Sequence, residues 1–146
     1  MRPPHNPAVP SGQAHLAVEL ALLPLCVGAG YGLGLRAELV PLALGYLAGS
    51  LFLSPDLDLY HSRPARRWRP LRVLWWPYAR LLRHRGLSHH PLFGPLSRLL
   101  YLGLWALLVW LLVGLPRLRW PPASLTLPFL GGLLVPQLLH LVLDRG

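Results

Sequence analysis

Four long apolar stretches, at residues 16–35, 39–53, 99–115 and 125–143, leave this chain of 146 residues few ways to fold. A bilayer core about 30 Å thick is crossed by about 20 helical residues, with a lower limit near 17. The first and fourth stretches are long enough to cross, the third is at the limit, and the second is short. Membrane helices tolerate the prolines and glycines that these stretches contain. The pattern therefore predicts an all-α, polytopic membrane protein with about four transmembrane helices.

We predict a single membrane domain with helices at about 15–35, 38–53, 97–115 and 123–144, and with a cytoplasmic segment at 54–96. The composition agrees, because only 13% of the residues are charged, against about 25% in a typical soluble domain. The short second helix must recruit Ala37 and Glu38, thin the bilayer locally, or be protected among its neighbours. The first stretch also has the pattern of a secretory signal, but Glu19 interrupts it and no small-residue cleavage site follows.

The segment at 60–98 sets the predicted orientation, since it contains nine arginines and no acidic residue. The positive-inside rule places such a segment in the cytoplasm, and four spans then place both termini there too, in the inner membrane. Its arginines alternate with tryptophan and tyrosine in "WRPLRVLWWPYARLL". This mixture favours an interfacial segment on the bilayer and its anionic lipid headgroups, rather than a nucleic-acid partner.

This topology brings polar residues from four parts of the chain to the cytoplasmic side. They are His15, Glu19, Asp56, Asp58, His84, His89, His90, His140 and Asp144. Each alone has an ordinary explanation, such as a helix cap at Asp56 or an interhelical hydrogen bond at His140. Together, imidazoles and carboxylates favour a divalent metal ion, with zinc expected first and manganese, iron or nickel as alternatives. Because so many ligands exceed the four of a structural zinc site, either a dinuclear centre or a single metal ion with additional supporting residues around its ligands fits better.

The segments "PSGQAH", "LSPDLDL", "RRWRPLRVLWWPY", "HRGLSHHPLFGPLSRLLYL" and "LLHLVLD" resemble, in this order, a family of small bacterial and archaeal membrane proteins. That family is known only as metal-binding, and it is more distantly similar to inner-membrane metal-dependent hydrolases. The resemblance covers residues 10–144 and implies a metal site made of His15, Asp56, Asp58, His84, His89, His140 and Asp144. The family has an acid directly after its first histidine; here Leu16 occupies that position, and Glu19, one turn on, is the candidate replacement.

The predicted function is hydrolysis of an ester or phosphoester near the membrane. A metal ion lowers the pKa of a bound water from 15.7 towards about 7 and polarises the scissile group. We assign Arg85 to an anionic group of the substrate and His90 or Glu19 to proton transfer. A turn at Gly86 would bring His89 back towards His84. The alternative is a non-enzymatic protein that binds, senses or transfers a metal, which needs the same ligands.

Overall fold

The computed structural model describes residues 12–82, 90–114 and 121–144. The predicted ligands His84 and His89, the predicted substrate-binding Arg85 and the proposed turn at Gly86 lie outside the described residues. The described part of the chain forms helices and turns and contains no strand, so the predicted all-α class is confirmed there.

Within the described residues, six α-helices and two short 3₁₀ helices follow one another. The α-helices are α1 (Gly12–Gly32), α2 (Leu39–Phe52), α3 (Arg63–Arg67), α4 (Trp75–Leu81), α5 (Phe93–Val113) and α6 (Ala123–Leu143). The 3₁₀ helices are Pro55–Asp58 and Arg69–Leu74. The part of the chain that the structure describes includes four apolar segments long enough to cross a membrane: Gln13–Gly32, Leu39–Asp58, Phe93–Val113 and Ala123–Leu143. The short second stretch reaches that length because the 3₁₀ helix Pro55–Asp58 continues almost directly from α2.

Helices α2 and α6 pack backbone against backbone at three glycines, Gly45 and Gly49 of α2 and Gly132 of α6. A Cβ atom at Gly132 would overlap the carbonyl oxygen of Leu42, and one at Gly45 would overlap that of Phe129. Small residues allow this close approach between helices in apolar surroundings. The Tyr46 hydroxyl, on the same helix as Gly45, donates to the main-chain oxygen of Glu19 at 2.8 Å and so fastens α1 to α2.

The segment after α2 folds back over the end of that helix. The Trp68 indole donates to the Phe52 carbonyl and the Arg67 guanidinium donates to the Leu51 carbonyl, each at 3.0 Å. These two bonds satisfy carbonyls that a helix end otherwise leaves without a partner. Ser62 caps α3 through its hydroxyl, which accepts from the Ala65 N–H at 3.3 Å. The fold therefore fixes the arginine-rich helix α3 beside the C-terminal end of α2.

Candidate metal centre

Three parts of the chain meet at one end of the helix bundle. His15 lies near the beginning of α1, Asp56 lies in the 3₁₀ helix after α2, and His140 and Asp144 lie at the end of α6. The two histidines are only 2% and 3% exposed, while the two aspartates are partly exposed. We call these four residues the His/Asp cluster. The structure thus brings together four of the seven ligands predicted from the sequence.

The side-chain nitrogen and oxygen atoms of the His/Asp cluster lie close to one another. His15 Nδ1 lies 3.3 Å from His140 Nε2 and 3.6 Å from Asp144 Oδ1. His140 Nε2 lies 3.8 Å from Asp56 Oδ2 and 3.9 Å from Asp144 Oδ2. Ligand atoms about 2.1 Å from a zinc ion in a tetrahedral site are about 3.4 Å apart. His15, His140 and Asp144 each offer one ligand atom within 4.8 Å of the others, so these three residues have the spacing and the chemistry of ligands around one divalent cation. Asp56 adds a carboxylate that lies 3.8 Å from His140 Nε2.

Glu19 orients the His140 ring from the opposite side. His140 Nδ1 donates to Glu19 Oε1 at 2.9 Å, and the Glu19 side chain is buried. In a neutral ring this bond places the proton on Nδ1, so Nε2 keeps its lone pair and faces the rest of the His/Asp cluster. Metal-binding histidines commonly hold their second nitrogen against a carboxylate in this way. The geometry is therefore that of a carboxylate that holds the His140 ring in position. The predicted role of Glu19 in proton transfer remains a prediction.

Removing the charge of Glu19 tests this role. We expect Glu19→Gln, which keeps the side-chain shape, to lower metal affinity by about 10- to 100-fold, the effect of losing such a supporting carboxylate. Titration against a competing chelator measures the affinity. Glu38→Gln is the matched control, because Glu38 immediately precedes α2, at the opposite end of that helix from Asp56. Equal affinities for the two variants would contradict the assignment.

Asp58 lies in a buried polar network next to the His/Asp cluster. It is 4% exposed, and its charge acts on both the Arg98 guanidinium and the Tyr78 phenol. Arg98 is completely buried and donates through Nε and Nη2 to Gln137 Oε1, at 3.0 and 2.7 Å. Burial raises the pKa of Tyr78, while Arg98 opposes that rise. Asp58 therefore sits beside a buried cation of the protein itself, and its predicted role as a metal ligand remains a prediction.

Arg98 and Gln137 were not singled out as site residues from the sequence. Arg98 was counted only among the nine arginines of the basic segment, but it follows "GPLS" at the start of an apolar helix, where a buried cation needs a partner. Gln137 is the single amide side chain of α6 and precedes His140 by three residues, which places both on one side of the helix. These two positions are the sequence features that could have identified Arg98 and Gln137 as site residues.

His90 is exposed and lies just before α5. Its Nδ1 accepts from the main-chain N–H groups of Leu92 and Phe93, at 3.2 and 3.3 Å. These bonds satisfy amides at the beginning of α5, where the helix itself offers no acceptor. The structure assigns His90 a capping contact, and its predicted proton transfer stays a prediction.

Comparisons with known proteins agree with a metal site. A family model described as "Uncharacterized metal-binding protein (DUF2227)" matches residues 10–127, a stretch that ends before His140 and Asp144. An uncharacterized protein of Aquifex aeolicus (strain VF5) is 51% identical over 63 residues. That match covers 43% of this chain and 45% of the relative's length. No solved structure matches the chain.

Proposed function

The chain belongs to the DUF2227 family of uncharacterized metal-binding proteins, and we propose that it is a membrane-bound, metal-dependent hydrolase whose His/Asp cluster holds the cation. The observation that carries the proposal is the convergence of His15 Nδ1, His140 Nε2 and an Asp144 carboxylate oxygen within 4.8 Å of one another. Asp56 adds a further carboxylate 3.8 Å from His140 Nε2. Two imidazoles with two carboxylates suit zinc first, and manganese, iron or nickel as alternatives.

An adjoining cavity supports hydrolysis over a purely structural metal site. Of the His/Asp cluster, His140 lines a cavity of about 280 Å³ together with Glu19, and Asp56 lines a further cavity of about 320 Å³, so a small molecule can approach two of the four residues. Structural zinc sites are closed by four protein ligands, whereas catalytic sites keep a position open. A bound cation would supply Lewis acidity to the ester and to an attacking water. The protein would contribute the fixed orientation of His140 through Glu19 and the negative charge of Asp56 and Asp144.

A membrane location is supported by the surfaces of the long helices. In the most apolar part of α5, which has a mean hydropathy of 2.0, only 6% of the residues are buried against the rest of the protein. Large side chains such as Leu104 and Leu112 are 63% and 77% exposed. Water would make such a surface an aggregation hazard, whereas lipid tails solvate it.

The proposed topology makes a prediction for reporter fusions. A reporter inserted after Arg69, or fused at the C-terminus, should give a cytoplasmic signal, because the excess of arginine over acidic residues at 60–98 is retained on that side. A phosphatase and fluorescent-protein reporter pair measures both sides of the membrane. A periplasmic signal at either place would contradict the proposed orientation.

Hydrolysis itself is tested with purified protein in mild detergent. We expect turnover in a screen of phosphoesters and carboxyesters, loss of that turnover with a chelator, and recovery when the metal is restored. His140→Asn should be inactive under the same conditions. If the protein keeps its metal but hydrolyses no ester, the proposed hydrolase activity is wrong, and a role in metal binding, sensing or transfer is favoured.

A further inference from the structure

Helix α3 places its arginines around a second cavity that carries no negative charge. This cavity, of about 660 Å³, is lined by four arginines and by Leu51 and Phe52, and by no carboxylate. The four arginines are Arg63, Arg66, Arg67 and Arg69. Within the described part of the chain, none of them forms an ion pair with an acidic side chain. Such a concentration of unneutralised positive charge favours an anionic ligand.

Two of these arginines also border the metal cluster. Arg63 and Arg67 line the cavity of about 280 Å³ together with His140 and Glu19. Arg63 in addition lines a third cavity, of about 320 Å³, whose wall includes Asp56. The exposed Arg63 thus lines the arginine-lined cavity, the cavity that includes His140 and the cavity that includes Asp56. An anion held by Arg63 would lie next to the proposed metal ligands.

The two arginines are prepared for this role in different ways. Arg67 is half-buried, and its Nη1 donates to the Leu51 carbonyl at 3.0 Å, which fixes the guanidinium and leaves its other N–H groups available. The Arg63 guanidinium has no hydrogen bond to any residue that the structure describes and is free to approach a ligand. Guanidinium groups donate paired hydrogen bonds to phosphate oxygens, which makes arginine the usual residue for planar recognition of phosphate.

Ser50 is an independent sign that this cavity receives a polar ligand. Its side chain is only 3% exposed and lines the same cavity as Arg63 and Arg67. Its hydroxyl has no hydrogen-bond partner among the described residues. An unpaired buried hydroxyl destabilises the folded state, and a ligand oxygen in the cavity would give the Ser50 hydroxyl a partner.

We propose that a phosphate group binds between Arg63, Arg67 and Ser50, directly beside His140, and that the substrates of this protein are phosphate esters. The assignment of substrate class rests on the proposed hydrolase function, whereas the phosphate site itself does not. The esterified phosphate would lie in the cavity of about 280 Å³, whose wall includes the proposed metal ligand His140. The remainder of the substrate would extend past Arg63 into the arginine-lined cavity of about 660 Å³.

Binding of inorganic phosphate to the metal-loaded protein in detergent tests the site by isothermal titration calorimetry. We expect Arg63→Gln and Arg67→Gln each to weaken phosphate binding by about 10- to 100-fold, the effect of losing a charge-assisted hydrogen bond. Ser50→Ala should weaken it less, because its hydroxyl is neutral. Arg36→Gln is the matched control, since Arg36 lies between α1 and α2, at the end of those helices away from the His/Asp cluster. Metal content, measured in parallel, should be equal in all these variants.

Two outcomes separate this inference from the proposed function. If wild-type protein holds its metal but phosphate binds no more weakly to Arg63→Gln and Arg67→Gln than to Arg36→Gln, the phosphate site is wrong and the metal site stands. If phosphate binding depends on both arginines in a protein that retains no metal, the phosphate site stands and the hydrolase fails. Titration with a short-chain phosphatidate in the same detergent then identifies the source: tighter binding of phosphatidate than of inorganic phosphate indicates a lipid headgroup, and weaker binding of phosphatidate indicates a soluble ester.

Discussion

Replacing His140 by asparagine is expected to lower metal affinity by on the order of 100-fold or more. A four-ligand zinc site binds with about 10–16 kcal/mol, so the loss of one ligand removes several kcal/mol of that binding energy. Asparagine is chosen because its amide nitrogen can replace His140 Nδ1 as the donor to Glu19. The variant therefore removes the metal-facing Nε2 while the buried Glu19 carboxylate keeps a partner. Elemental analysis of the purified variant, and titration against a chelator, measure the loss.

His90→Asn is the control for this prediction. His90 is exposed and hydrogen bonds to Leu92 and Phe93 at the start of α5, outside the His/Asp cluster. We expect it to retain the metal at the wild-type level. Thermal unfolding of both variants shows whether the fold is kept. A folded His140→Asn protein that binds the metal as tightly as His90→Asn would remove His140 from the site.

The second large effect is expected from Gly132→Leu, which should destabilise the protein by more than about 3 kcal/mol, beyond the usual cost of overpacking a core. The new side chain would overlap the main-chain carbonyl of Leu42, and backbone cannot move aside as a side-chain tip can. Helices α2 and α6 would have to separate. Because Asp56 follows α2 and His140 lies on α6, metal binding should be lost together with stability.

Gly131→Leu is the matched control, since a Cβ atom at Gly131 meets nothing within 4 Å and the residue is exposed on the same helix. Thermal unfolding in detergent and retained metal are measured for both variants. Similar melting temperatures for Gly131→Leu and Gly132→Leu would contradict the close packing of α2 on α6.

Much of the helical architecture could be predicted from hydropathy, because length and apolar character alone identify a helix able to cross a bilayer. The close contact between α2 and α6 could not be predicted in the same way. It depends on which glycines face each other, at Gly45 and Gly132, and hydropathy carries no information on the rotation of one helix relative to another. The link from Trp68 and Arg67 to the end of α2 likewise depends on how a loop folds back.

The residues of the candidate site could be predicted as far as topology alone brings the ends of different helices together. Alternation of helix direction was enough to place His15, Asp56, His140 and Asp144 at one end, and in the structure they lie there in contact. The sequence could not decide between two roles for Glu19, support of the His140 ring and proton transfer. Both roles require a carboxylate one turn from His15. Which arginines lie near His140 also depends on the fold. The sequence pointed to Arg85, which lies outside the described residues, whereas the cavity that includes His140 is lined by Arg63 and Arg67.

X-ray absorption spectroscopy of the metal in the purified wild-type protein tests the metal site most directly. We predict a bound metal whose nearest neighbours are nitrogen and oxygen at about 2.0–2.2 Å, with the outer-shell scattering of two imidazole rings. No sulfur neighbour at about 2.3 Å is expected, because Cys26 lies in α1 about three turns beyond His15. A sulfur ligand, a shell without imidazole, or a protein that retains no metal would contradict a cation held by His15, Asp56, His140 and Asp144.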